Sequence, residues 1–360
     1  MLACNGYSQA SVRTGYEQVI AHRTSDLFAH TARQDGKVIS RNDTGIVIEY
    51  ADGTRKGIEL GRRFGSAAGL TIPHDIVCTL KEGDKIKKGD IVSYNEGFFE
   101  RDMLNPNNLV FKSGINVKTA LYESNQTLED SSSISKELAN KLSTKTTKVK
   151  TIIVEFNQRI VNLVKVGSQI EPDTTLCFIE DSTTSNTSLF DADSLNTLRL
   201  LSSQSPSAKV KGTIDRIEVF YNGELEDMSD SLRSLAIASD KELSKRYKSS
   251  GHTSFTGSVN EDFRIDGESL VMDTCAIKIY MTGDVAMATG DKAVFCNQMK
   301  SVVGEIMEDD MTTESGEKID AVFGYVSVAA RIVLSPELIG TTNSLLDVIG
   351  KRAAELYRAK

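Results

Sequence analysis

Two Gly-Asp pairs six residues apart, Gly83-Asp84 and Gly89-Asp90, occupy the run VCTLKEGDKIKKGDIVSYNEG, with Ile86 between them and Ile91-Val92 after them. Glycine reaches the positive-φ conformations that tight turns need, and the aspartate side chain closes such turns on the backbone. One apolar position between two such turns leaves no room for a helix or a long strand. The run therefore predicts the tight arches of a small barrel or barrel-sandwich hybrid. A related cadence returns in VKVGSQIEPDTTLCFIED, with Gly167 and Pro172-Asp173 at the turns. The repeat is local and lacks the fixed period of a solenoid.

Other segments agree with a chain that is mainly β with a few helices. RNDTGIVIEYADGT reads as turn, apolar strand Ile46-Val47-Ile48, turn. KVKGTIDRIEVFYNGE reads as a hairpin-like segment turning at Asn222-Gly223, and Glu268–Met281 as a buried strand. A helix is expected from an N-cap at Ser135 to about Leu142, and another over Ser229 to Tyr247 on the partial stripe Leu232, Leu235, Ala236, Leu243 and Tyr247. Leu345, Leu346, Ile349, Ala353, Leu356 and Tyr357 predict a C-terminal amphipathic helix packed on its own domain or on a partner.

The 360 residues suffice for one elaborate domain or two to three modules. The net charge of -8 argues against non-specific nucleic-acid binding by the whole surface, though it leaves room for a local basic site. The five cysteines lie far apart and, with the four histidines, offer no metal-ligand spacing; reduced thiols in a cytoplasm are expected. No apolar run approaches the roughly 18 residues that span a bilayer. The abrupt polar start over residues 1–18 suggests a fold begun on another chain.

Within this acidic chain, GDKAVFCNQMKSVVGEIMEDDMTTESGEKIDAVFGYVSVAAR (Gly290 to Arg331) carries Lys292 and Lys300 eight residues apart and closes on Arg331. Taken alone, such lysines are best explained as solvated positions beside a turn and a strand. Glu129-Asp130, ahead of the Ser135 helix, match the acidic preference of helix N-termini. Asp191 and Asp193, in the Ser/Thr-rich segment 182–208, read as a solvated turn in a linker.

A set of individually degenerate motifs in one order carries more. Thr14-Gly15-Tyr16-Glu17, LKEGDKIKKGDIV, Asn116-Val117 leading to Leu128-Glu129-Asp130-Ser131 and Ile134-Ser135-Lys136, VKGTIDRIEVF, and Gly290-Asp291-Lys292 with Lys300 and Val302-Val303 follow one another. Asp310-Met311, Gly316–Asp320 and Arg331 complete the set. In this order the chain resembles the C-terminal half of the β subunit of multisubunit DNA-dependent RNA polymerases, in a divergent split form like that of giant tailed bacteriophages. The resemblance departs where VFCNQM (Val294–Met299) replaces a glycine-rich loop and where Ala329-Ala330 precedes the arginine.

The resemblance implies a double-psi β-barrel completed by another chain, with barrel-sandwich-hybrid and flap insertions. Residues 1–145 would hold the first part of the catalytic barrel and a hybrid module, 146–265 a wall or flap module, and 266–360 the rest of the barrel and a terminal helix. It implies Mg²⁺-dependent nucleotidyl transfer from NTP substrates, with the principal metal ligands on a β′-like partner. Lys292 and Lys300 would contact RNA or initiating-nucleotide phosphates and Arg331 the incoming triphosphate. Glu129 and Asp130 would lie near a second Mg²⁺ through water, and Gln9 and Asn5 near the RNA 3′-end. Partners would be an N-terminal β-like chain, β′-like chains and a sigma-like factor, on template DNA and product RNA, with no membrane, in the infected host cytoplasm or the virion. The alternatives are a non-catalytic, barrel-rich phage structural or assembly protein and, less well supported, a lipoyl-type carrier, which lacks a lysine at the hairpin tip.

Overall fold

The computed structural model describes residues 3–67, 69–181, 205–249, 255–331 and 333–359. Asp191 and Asp193 lie outside the described residues, as does most of the expected linker. The chain is mainly β. Its principal strands begin with β1 (Gly36–Arg41), β2 (Gly45–Tyr50), β3 (Arg55–Glu59), β4 (Gly61–Ala67), β5 (Leu70–Val77) and β6 (Lys85–Ile86). Next come β7 (Thr119–Leu121), β8 (Ser131–Ser135), helix α1 (Lys136–Lys141), β9 (Thr144–Glu155) and β10 (Gly212–Asn222). Helix α2 (Asp230–Ser249), β11 (Thr274–Val285), β12 (Lys292–Phe295), β13 (Met299–Met307), β14 (Ala321–Phe323), α3 (Tyr325–Ala329) and α4 (Ser335–Arg358) follow.

These elements form two compact units, and both are discontinuous. One comprises Ala32–Ser93 and Thr146–Asp284; the other comprises Met1–Thr31, Tyr94–Lys145 and Val285–Lys360. The sequence reading laid three modules end to end. The boundary after residue 145 is common to both divisions, whereas the return to the first-begun unit comes at Val285 rather than 266.

In the unit of Ala32–Ser93 and Thr146–Asp284, β3-β2-β1-β6 form an antiparallel sheet. Alternation decides which side is buried: Val38, Ile46, Ile48, Ile58 and Ile86 enter one core with Ile76. The Asn42 side-chain oxygen accepts from the backbone N–H groups of Thr44 and Gly45 at 2.9 Å each, closing the β1–β2 turn. The arches are built alike. Gly83 and Gly89 have φ of +92° and +94°, and the Asp84 and Asp90 carboxylates accept from Lys81 N–H and Lys87 N–H at 2.8 Å. Ile86 is buried between them, as the spacing predicts.

The same unit pairs β10 antiparallel with β11, Asn222 opposite Thr274. This differs from the hairpin read at Asn222-Gly223: β10 is one long strand whose partner lies some fifty residues on in sequence. Helix α2 turns Leu232, Ala236, Ser239 and Leu243 inward at helical spacing. Ser239 Oγ accepts from Val219 N–H at 2.9 Å, satisfying a buried polar pair. The core gathers Ile152, Val154, Ile214, Val219, Ile277 and Ile279 beneath the helix.

The other unit holds the expected site residues. Its main sheet runs β7-β14-β8-β13-β12. β8 is parallel to β13 and antiparallel to β14, and β12–β13 is a hairpin. Ser135 caps α1, accepting from Leu138 N–H at 3.1 Å. Ile134, Leu138, Ala139, Val303 and Ala321 make the core on one side. Phe295 and Phe323 stack at 5.0 Å beside Met299 and Val328. None of the sheets traced through the described residues closes on itself, and no helix among these residues is long and apolar enough to cross a membrane.

Candidate functional site

The β12–β13 hairpin begins with the same turn as the arches. Gly290 has φ +93°, and the Asp291 carboxylate accepts from Ala288 N–H at 2.9 Å. Gly290-Asp291 thus has a conformational role that is complete without a ligand. Lys292 follows at the first strand position, opposite Val302, and Val294 lies opposite Lys300. Alternation puts Ser301 and Val303 in the interior and Lys292, Val294, Lys300 and Val302 on the outer face. The two lysines are diagonal neighbours on that face, about 7–8 Å apart or somewhat less. Both are exposed, and neither has a hydrogen bond or ion pair among the described residues.

The lysines are eight apart in sequence because the hairpin turns tightly between them. Gln298 N–H donates to Phe295 O at 3.2 Å across Cys296 and Asn297, whose φ values are 49° and 61°. Two positive values at the central positions are those of a type I′ turn, here part of a three-residue connection because Phe295 pairs with Met299. This reshapes the stretch where the glycine-rich loop of the resembling family is missing: VFCNQM is a strand end and a turn. Burial raises the Cys296 thiol pKa.

Val302 N–H donates to Asp130 O at 3.1 Å on the far side of β13. Ser131, Val302 and Lys292 therefore lie in a row across three strands of the sheet, spanning about 10 Å at the usual strand spacing, and Asp130 is the residue just ahead of that row. Arg331 Nη2 donates to Asp130 Oδ1 at 2.5 Å. Arg331 Nη1 is shielded from solvent and has no partner. One half of the guanidinium fork is occupied and the other has an unspent donor.

Glu129 and Asp130 precede strand β8 rather than a helix, so the helix-dipole explanation of the pair does not apply. Glu129 is exposed at φ 53°, and its carbonyl accepts from Ser327 Oγ. Glu123, which sequence reading passed over, accepts from Val326 N–H at 2.7 Å in the first turn of α3. These two links tie the segment leading to Arg331 to the loop carrying Asp130. Gly304 and Gly324 let that loop pack closely. An added Cβ would stand 2.9 Å from Gln126 O at Gly304 and 2.5 Å from Thr127 O at Gly324. No local signal marks Glu123, because its partner is 203 residues away.

Gln9 and Asn5 are separate from this row. Gln9 is buried; its Nε2 donates to Arg101 O at 3.1 Å and its Oε1 accepts from Met103 N–H at 3.2 Å. Asn5 Nδ2 donates to Ser143 Oγ at 2.8 Å. Both amides act as internal braces.

Magnesium is usually held by one or two carboxylates together with waters and substrate phosphates. Asp130 is already paired with Arg331, and no group of three or more His, Cys, Asp or Glu side chains converges among the described residues. The described residues do not make a magnesium cage around Glu129 and Asp130. No protein-family model matches this chain, and no curated protein matches it either.

Proposed function

We propose that this chain is the β-like, C-terminal-half subunit of a divergent, split multisubunit DNA-dependent RNA polymerase of the giant-bacteriophage type. Its double-psi barrel would be completed by an N-terminal β-like chain. The ordered motifs support this reading, and one structural observation carries the site: two lysines without acidic partners among the described residues share an outer face, on a sheet whose neighbouring residue Asp130 holds Arg331. Phosphates are the ligands such a strip suits. Ammonium groups act as point charges that follow a moving phosphate, and the guanidinium adds a permanent positive charge.

In this reading Lys292 and Lys300 neutralise phosphates at the RNA 3′-end or of the initiating nucleotide. Arg331, held by Asp130, contributes its positive charge beside the incoming triphosphate. Asp130 is then a positioning residue, and Glu129 shapes the loop that presents it. Metal ions, which a β′-like partner would hold, would supply charge neutralisation at the reacting phosphates. Template DNA and a sigma-like factor complete the assembly, in the host cytoplasm or the virion.

The test is co-expression with the remaining polymerase chains and transcription from a nicked template. Lys292→Ala and Lys300→Ala should abolish RNA synthesis while co-purification stays intact, and Arg331→Ala should raise the apparent KM for NTP. Wild-type elongation in both lysine variants would refute the assignment. A protein that never co-purifies with metal-bearing polymerase chains would instead fit the structural or assembly reading.

A further inference from the structure

Arg331 is held at two ends. Its guanidinium meets Asp130. Its backbone follows helix α3, where Arg331 N–H donates to Val328 O at 3.1 Å and Ala330 N–H to Val326 O at 2.9 Å. The backbone end therefore sits where α3 sits, and little within α3 secures it. Its five residues make little more than one turn, too short for a helix that is stable by itself. Val328 is its one buried side chain, and Tyr325 and Val326 are 58% and 60% exposed. The N-cap residue is Gly324, which brings no capping side chain. The first backbone N–H groups of the helix must find acceptors elsewhere.

Glu123 supplies one. It stands just past strand β7, next to Tyr122, whose N–H donates to Phe323 O at 3.1 Å and so fixes the strand end to the sheet. From there Glu123 Oε1 accepts from Val326 N–H at 2.7 Å. Val326 is the second residue of α3, one of the two positions whose N–H an N-cap side chain takes. A carboxylate there also faces the positive end of the helix dipole. Glu123 is half-buried and has no ion pair among the described residues, so no cation draws its oxygen away. The other two ties, Ser327 Oγ to the Glu129 carbonyl and Arg331 to Asp130, both run to the loop that carries Asp130. Glu123 is the tie that leads to β7, one edge of the sheet whose opposite edge is β12 with Lys292. Its carboxylate thus refers the start of α3 to the same sheet that carries the lysine pair.

We propose that Glu123 is a positioning residue: it caps α3 from a strand end some 200 residues away in sequence and so fixes the backbone that carries Arg331. Its part in nucleotide binding rests on the polymerase reading above, whereas the cap itself does not.

Two measurements test it. In the co-expressed assembly, Glu123→Ala should raise the apparent KM for NTP roughly fivefold, the size of a lost helix cap, with kcat unchanged. Glu123→Gln, whose side-chain oxygen also accepts, should keep the wild-type KM. In an Arg331→Ala background Glu123→Ala should add nothing, because both changes act on one group. A further rise in KM in that background, or a glutamine variant as impaired as the alanine variant, overturns the proposal. The second measurement is amide exchange on the full chain by itself. Glu123→Ala should speed exchange at Val326 and Ala330 roughly fivefold and leave Val303, buried in the β12–β13 hairpin, unchanged. Unchanged exchange at Val326 overturns the proposal. So does exchange at Val303 that quickens as much, which would make Glu123 a general structural residue. A wild-type assembly that makes no RNA refutes the polymerase reading and the nucleotide role with it, and exchange at Val326 still decides the cap.

Discussion

Gly324→Ala tests how the loop carrying Asp130 is held. Gly324 links β14 to α3 with φ -64° and ψ 126°, a conformation open to alanine, so backbone strain does not enter. The obstacle is contact: an added Cβ would stand 2.5 Å from Thr127 O and 3.0 Å from Glu123 Oε1. Neither neighbour retreats freely. Thr127 is buried, its Oγ1 donates to Tyr122 O at 2.9 Å, and Tyr122 N–H donates to Phe323 O at 3.1 Å. Glu123 holds Val326 N–H at 2.7 Å. Overpacking of this kind costs about 1–3 kcal/mol, and one hydrogen bond broken to relieve it costs about 1 kcal/mol more. A loss of roughly 2–3 kcal/mol lowers Tm by roughly 5–10 °C in a unit of this size. Gly340→Ala is the control. It is a helical glycine of α4 with open space where the methyl would go, and it should gain up to about 1 kcal/mol. Urea denaturation followed by circular dichroism measures both, and amide exchange at Ser131, whose N–H donates to Leu128 O, reads the loop. A Gly324→Ala protein within about 0.5 kcal/mol of wild type, with unchanged exchange at Ser131, would refute the claim that this glycine sets the loop.

Replacing Cys296-Asn297 by Asn-Gly, the favoured type I′ pair, should stabilise the β12–β13 hairpin by roughly 0.5–1 kcal/mol, seen as a higher urea midpoint; an unchanged or lower midpoint would contradict the turn assignment. Lys141 and Lys318 hydrogen-bond the Glu137 carboxylate and hold its pKa down to about 2, against an ordinary 4.5. A depressed folded-state value means that the stabilisation is present above about 4.5 and is lost as pH falls towards 2. The difference in urea midpoint between wild type and Glu137→Gln should therefore be present at neutral pH, shrink below pH 4.5, and vanish near pH 2. A difference that persists unchanged at pH 2 would show that the glutamine acts through something other than charge.

What the sequence made legible was local. Each Gly-Asp turn needs one glycine at positive φ and one carboxylate three residues from its N–H partner, and all of that lies within four residues. The Ser135 cap and the inward stripe of α2 are local in the same way. The Asn222-Gly223 hairpin failed for a distant reason, since the pair makes contacts far along the chain. Asn222 Nδ2 donates to Leu270 O at 2.9 Å, and a Cβ on Gly223 would stand 2.7 Å from the Phe156 ring. The glycine is there for a close approach rather than a two-residue turn. Contacts that cross the chain left no mark in the sequence. Arg62 donates to both Asp75 and Asp215 at 2.5 Å, and Arg216 lies 4.8 Å over the Phe64 ring. Nothing in spacing distinguishes those arginines from surface ones. The site itself was half legible. The hairpin register puts Lys292 and Lys300 on one face, as an even separation through a three-residue connection requires. The pairing of Asp130 with Arg331 spans 201 residues and was invisible.

That mixture bears on which site residues the fold itself requires. The chain has 50 acidic and 42 basic residues, so a cation on its surface has carboxylates in ample supply. Lys318, Lys141 and Lys351 all take one. Lys292 and Lys300 take none among the described residues and face the solvent as diagonal neighbours, where like charges repel weakly. The β12–β13 hairpin does not use their charge: its core contacts come from Phe295, Met299 and Val303, and its entry turn is complete in Gly290-Asp291. Removing either ammonium group should leave folding stability within about 0.5 kcal/mol of wild type, as for other surface substitutions away from special features. Arg331 differs, because Asp130 is its partner and its unpartnered Nη1 is shielded from solvent. Truncating it releases an ion pair in which both side chains are about a third exposed or more, worth no more than about 1 kcal/mol after solvent screening. A stability loss confined to Arg331→Ala, together with loss of RNA synthesis in all three variants, would separate positioning from charge. A lysine variant that unfolds the hairpin would instead make Lys292 or Lys300 structural and remove the reason for assigning it to a phosphate.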